Sequence, residues 1–266
     1  MTAGVFSCIL RIFIGTPLGE ILFEVKRLED LCLDYGQMKT LAYIASVEQV
    51  CCNLLGISDD PLVLTGNFVD ENKLLKEMQT NRRGSAIAVI LHLKYFLATY
   101  LNDFKSASAL YKENKEQFSS AFVSCFRLFQ VFYEGISFAG LSRIVSGSCR
   151  KRALADVQKR VKALNNFVVQ CPENAINKLY LVKAELEFSC GRYTCALLNY
   201  SKAIDYAERE GFVCETALAC EKAGLMLQKA GKSTEAVEYF RKARSLYLSW
   251  GATVKADEIS RLLSAN

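Results

Sequence analysis

The four residues GKST, Gly231 to Thr234, are those that close a phosphate-binding loop. There a lysine reaches the outer phosphates, a hydroxyl holds a magnesium ion, and successive backbone N–H groups wrap the anion at a helix N-terminus. Such a loop also needs a first glycine five positions earlier, and Met226 stands there. It needs a buried strand leading in, yet Ala217 to Lys229 is rich in Ala, Leu, Met, Gln and Lys, which favours helix. The segment is therefore expected to be a helix ending at Gly231, followed by a helix capped by Ser233.

The other groups capable of chemistry are few. His92 is the sole histidine and lies in the apolar run ILHLKYFLATYL, a setting for a packed imidazole rather than a general base. The acid pairs Asp59 and Asp60, and Glu29 and Asp30, are adjacent in sequence, so in a helix they diverge by about 100° and in a loop they cap or stay wet. Eleven cysteines form no paired CxxC set, and with one histidine a zinc site would need four thiolates from scattered places. They read as buried thiols of a reducing, cytoplasmic setting. No catalytic, cofactor or metal residue is assigned, and the chain is expected not to be an enzyme and to take no small-molecule substrate.

The elements that hold these residues are helical. Only three prolines, Pro17, Pro61 and Pro172, interrupt 266 residues of which 51% are hydrophobic and 23% charged. The net charge of +5 is too small to announce nucleic acid. One local excess, Arg150, Lys151, Arg152, Lys159, Arg160 and Lys162 against Asp156, falls on a single expected helix and is a candidate basic surface. The apolar stretch Val5 to Ile14 carries Arg11 inside it and is too short to span a bilayer, so it reads as a core helix and no membrane is implied.

Periodicity gives the organisation. The run CGRYTCALLNYSKAI overlays AGKSTEAVEYFRKAR with Gly191 on Gly231, Ala196 on Ala236, Tyr200 on Phe240 and Ala203 on Ala243, each offset by forty residues. A fixed period of that length marks helix hairpins that bury their faces against their neighbours. A weaker copy, YLNDFKSASALYKEN, puts Asn102, Ala107 and Tyr111 in the places of Gly231, Ala236 and Phe240. Helices are expected over Leu18 to Tyr35, Gln37 to Leu55, Ser119 to Ala139, Arg150 to Gln170, Asn177 to Cys190, Arg192 to Glu210, Ala217 to Gln228 and Ser233 to Trp250. A loop is expected over Gly56 to Phe68, and a short helix over Asp70 to Gln79.

This spacing resembles the tetratricopeptide repeat: small residues at Ala184, Ala196 and Ala203 with the aromatic Tyr200, then at Gly224, Ala236 and Ala243 with Phe240. Cys220 and Tyr180 depart from it where that repeat often has tryptophan, and the period is longer. The resemblance implies an all-α fold, a right-handed superhelix of antiparallel helix hairpins. Residues 1–80 would be its N-terminal helices with a truncated start, 81–172 middle hairpins with a longer irregular pair, and 173–266 two repeats. A groove on the inner helices would then present Lys178, Leu181, Glu185 and Phe188, then Leu218, Glu221, Leu225 and Gln228, to a protein partner.

The run from Lys202 to Ile259, with its ending YLSWGATVKADEI, and upstream GTPLGE, YIASVEQVCCNLLG and NKLYLVKAELEFSCGRYTCALLNYSKAI, also resemble the C-terminal helical-repeat region of large signalling ATPases that carry a protein-kinase-like domain and often a sensor histidine kinase. That resemblance implies a non-catalytic protein-interaction module, a fragment or stand-alone relative, which contacts a protein partner, related repeats or a second copy. The alternative it leaves open is part of an ATP-dependent signalling kinase whose catalytic domains lie outside this chain. No kinase HRD or DFG signature is present.

Overall fold

The computed structural model describes residues 2–66, 69–71, 73, 76, 84–115, 118 and 124–264. Among them the chain forms twelve helices and no strand: α1 (Thr2–Ile14), α2 (Leu18–Asp34), α3 (Met38–Leu55), α4 (Gly84–Tyr100), α5 (Phe104–Glu113), α6 (Ser124–Ile144), α7 (Gly147–Gln170), α8 (Pro172–Ser189), α9 (Tyr193–Arg209), α10 (Val213–Lys229), α11 (Ser233–Trp250) and α12 (Thr253–Ser264). The all-helical expectation holds. Most of the expected short helix over Asp70 to Gln79, and positions 119–123 of the aromatic helix, lie outside the described residues.

The joints show why the chain turns where it does. Gly191, Gly211, Gly231 and Gly251 all have φ between 75° and 94°, a left-handed backbone that glycine adopts without a Cβ collision. After each, the next N–H binds the carbonyl five residues back: Arg192 to Glu187 at 3.0 Å, Phe212 to Ala207 at 2.8 Å, Lys232 to Leu227 at 2.9 Å and Ala252 to Tyr247 at 2.9 Å. Asn102, in the weaker copy, has φ 65° and makes the same joint through Asp103 to Ala98 at 2.8 Å. Among the described residues it is the one non-glycine with positive φ. Ser233 is corrected from a capping residue to the first residue of α11; Lys232 holds the cap position, with no side-chain cap bond.

Packing follows the repeat. Ala184, Ala196, Tyr200 and Ala203 are buried, and so are Ala236, Phe240 and Ala243. Gly224 lies so close to the Phe240 ring that a Cβ added there would stand 2.6 Å from a ring carbon. A small residue on one helix is thus what admits the aromatic of the next. Consecutive helices pack in pairs, and among alternate helices α8 touches both α6 and α10.

The N-terminal helices close this layer. Phe13 stacks on Phe129 at 4.8 Å between ring centres and meets Phe96 edge-on at 5.3 Å. Tyr100 donates its hydroxyl to the Cys214 carbonyl at 2.8 Å, and its ring meets Trp250 at 5.5 Å. Gly15 packs on the α10 backbone, and Thr253 at the start of α12 bonds the Leu55 carbonyl at the end of α3. One buried apolar cluster therefore runs from Val5 to Ile259. The apolar face of α1 lies in it: Val5, Cys8, Ile9, Ile12 and Phe13 are all buried.

Candidate functional site

The inner positions that the sequence offers as a groove divide into two sets. Lys178, Leu181, Glu185, Leu218 and Glu221 are buried, while Phe188, Leu225 and Gln228, nearer the C-terminal ends of α8 and α10, are half-exposed. Helix α6 packs on α8 over the first set, α1 packs on α10, and Tyr100 of α4 reaches the Cys214 carbonyl. The charged members of that set are taken up inside the molecule, as buried charges must be.

Lys178 pairs with Glu215 at 2.8 Å, with its ammonium 4.3 Å from the Phe212 ring centre and 4.9 Å from that of Phe129. Arg143 of α6 pairs with Glu185 at 2.6 Å and bonds the Ser189 hydroxyl at 3.0 Å; Tyr200 donates to the same carboxylate. Lys255 of α12 bonds Glu221 at 2.9 Å and Glu258 at 2.7 Å. Asn102, set by its left-handed backbone, donates to Glu221 at 2.8 Å and to Glu258 at 3.2 Å, and accepts from Lys222. Tyr247 donates to the other Glu221 oxygen at 2.5 Å.

Burial alone would raise the Glu221 carboxyl. The ammonium groups of Lys255 and Lys222 and the bonds from Asn102 and Tyr247 outweigh it and hold the group down at about 2. Burial lowers Lys222, with the like charges of Lys255 and Arg143 acting the same way against Glu221 and Glu185. For Lys255, Glu221 and Glu258 win over burial and raise it. The cluster is a largely buried ionic network whose outer members, Lys222 and Glu258, reach the inner face.

Above that network the inner face opens. A groove of about 760 Å³ is walled by residues of seven helices, α5 to α10 and α12. Phe104, Phe188, Tyr193, Leu225 and Leu262 supply its apolar surface, and Arg143, Arg150, Lys222 and Lys229 bring positive charge against Glu258. Sequence periodicity places Phe188, Leu225 and Gln228 here. It gives no sign that Asn102, from the joint before α5, and Arg143 of α6 meet Lys222 of α10 here.

The basic run on α7 also divides. Lys151, Arg152, Lys159 and Lys162 are exposed and lie within about 100° of one another around the helix. Lys159 pairs with Asp156 at 2.9 Å. Arg160 turns inward to Glu134 at 2.7 Å and the Tyr111 hydroxyl at 2.9 Å, while Arg150 reaches the groove and donates to the Ser189 carbonyl at 2.8 Å.

Among the described residues, no group of three or more His, Cys, Asp and Glu side chains could hold a metal ion, no disulfide joins the cysteines, and no helix is long and apolar enough to cross a membrane. His92 packs against Phe118, ring centres 4.7 Å apart, and burial lowers its pKa. Its Nδ1 lies 2.5 Å from the Ala88 carbonyl, which only accepts, so that nitrogen carries the proton. The GKST segment follows helix α10 rather than a strand, and its Lys232 pairs with Glu235 on the surface at 2.9 Å. Compared with models of known protein families the chain matches none, and a search among curated proteins likewise finds no match.

Proposed function

We propose that this chain is a non-catalytic helical-repeat module that works by protein contact, built as a right-handed superhelix of antiparallel hairpins of tetratricopeptide type, within a signalling assembly in the cytoplasm. The observation that carries the reading is the identical joint at Gly191 and Gly231, with the small residues and aromatic that follow each at the same spacing. Stacked hairpins of this kind present an extended surface rather than a reaction centre. The residues with chemical potential support that reading: His92, Glu221 and Lys178 are occupied by internal bonds and packing.

The experiment is a melting titration of the intact chain with Mg-ATP. A ligand that binds the folded state stabilises it, by about 2.7 kcal/mol at a hundred times its dissociation constant, and so raises its melting temperature. No shift at millimolar nucleotide is expected. A saturable rise that Lys232→Ala abolishes would replace the contact reading with a nucleotide-dependent one.

A further inference from the structure

We propose that the groove between the C-terminal ends of α8 and α10 receives a short, extended acidic segment of a partner protein, with an apolar side chain seated on its aromatic floor. This rests on the protein-contact reading above and gives it an address and a ligand chemistry.

Charge is the first argument. Counting the groove with the network beneath it, five cations, Arg143, Arg150, Lys222, Lys229 and Lys255, meet three carboxylates, Glu185, Glu221 and Glu258. Pairing consumes Arg143 on Glu185, and Lys222 and Lys255 on Glu221 and Glu258. The remainder is Arg150 and Lys229, both exposed at the lip. Arg150 spends one N–H on the Ser189 carbonyl and keeps its others for a ligand.

The C-terminal ends of α8 and α10 carry partial negative charge at the groove, but their last carbonyls are bonded from within. Arg192, Gly191 and Cys190 N–H groups meet those of α8, and Lys232, Gly231 and Ala230 those of α10. The full charges on the two side chains therefore set the sign of the field at the lip.

Shape is the second argument. Arg143 lies over the Phe188 ring at 4.5 Å, and Lys222 lies 5.2 Å from the Phe104 ring centre, so the aromatic floor is held rigid by cations. A volume of about 760 Å³ is that of a pocket for a ligand of small-molecule size. It takes a few residues of chain, too few for a stable helix, so the segment is extended.

The test is fluorescence anisotropy on the intact protein. The probe is a labelled short peptide alternating Glu and Asp with Leu and Phe, blocked at both ends. A counterpart with Lys and Arg in place of the acids serves as control. The acidic peptide is expected to bind saturably and the basic one not to bind. Lys229→Glu, whose side chain pairs with none of the described residues, should weaken binding about tenfold, and adding Arg150→Glu about tenfold again. Affinity should also fall between about 50 and about 300 mM salt.

Absence of acidic-peptide binding, equal binding of the basic peptide, or full binding by Lys229→Glu overturns the proposal. If Lys151→Glu with Lys162→Glu abolishes binding while Lys229→Glu does not, the groove is wrong but the protein-contact reading stands. If no peptide binds and Mg-ATP raises the melting temperature, both fall.

Discussion

Glu221 is the residue on which most of the interior's charge balance turns, because Lys255, Lys222, Asn102 and Tyr247 all converge on its carboxylate. Replacing it by Gln leaves two ammonium groups buried together and is expected to cost about 3–5 kcal/mol in urea unfolding. Lys229→Gln, at the exposed lip, should change stability by less than about 0.5 kcal/mol. A second carboxyl makes the opposite kind of prediction. Glu29 of α2 is buried, and that burial together with the negative charge of Glu48 on α3 raises it from 4.5 to about 7; Lys26 opposes the shift and Asp30 adds to it. The native chain then holds a proton that the unfolded chain has released, so stability falls as pH rises from about 4.5 to about 7. Glu29→Gln should flatten the drop in melting temperature between about pH 5 and about pH 8. An unchanged slope would show that Glu29 is charged in the native state throughout. None of these pairings was legible in the chain: the partners of Glu185, Glu215 and Glu221 lie 42, 37 and 34 residues away, and a lone Glu on a helix reads the same whether it faces water or a buried lysine.

Among the elements, the helices and their joints were the legible part, because a glycine with left-handed backbone and a three-and-four apolar stripe are local signals. Asn102 is the instructive position. Its alignment with Gly231 rests on sequence spacing, and it adopts the same backbone as the glycine it replaces. Ser233 shows the limit, since a hydroxyl near a helix start satisfies the sequence pattern for a cap while the helix begins at that residue. The hairpin of α10 and α11 yields its own prediction. Gly224→Ala puts a methyl 2.6 Å from the Phe240 ring, so the ring must move. The gain in helix propensity, up to about 1 kcal/mol, is expected to be exceeded by overpacking of about 1–3 kcal/mol, giving a net loss in thermal unfolding. A variant as stable as the parent would mean the small residue is not required for the close approach.

At the scale of the molecule, the difference from the sequence reading is the position of α1 and α4. A periodic pattern shows which face of a helix is buried, not which distant segment buries it. The inner face expected to hold a partner is covered over its first half from within, by α6 on α8 and by α1 on α10, leaving the mouth at Phe188, Leu225 and Gln228. Gly15 is the tightest point of this closure: its φ is 87°, and an added Cβ would stand 2.8 Å from the Cys214 backbone nitrogen. Gly15→Ala should therefore cost at least about 1–3 kcal/mol, from backbone strain alone. The most direct test of this closed arrangement is native-state hydrogen exchange on the intact chain, followed by peptide mass analysis. The amides of α1 and α4 are expected to exchange as slowly as those of α8 and α10, in one cooperative opening. Fast exchange in α1 and α4 beside protected α8 and α10 would contradict it, and would mean that the N-terminal helices do not close over α10.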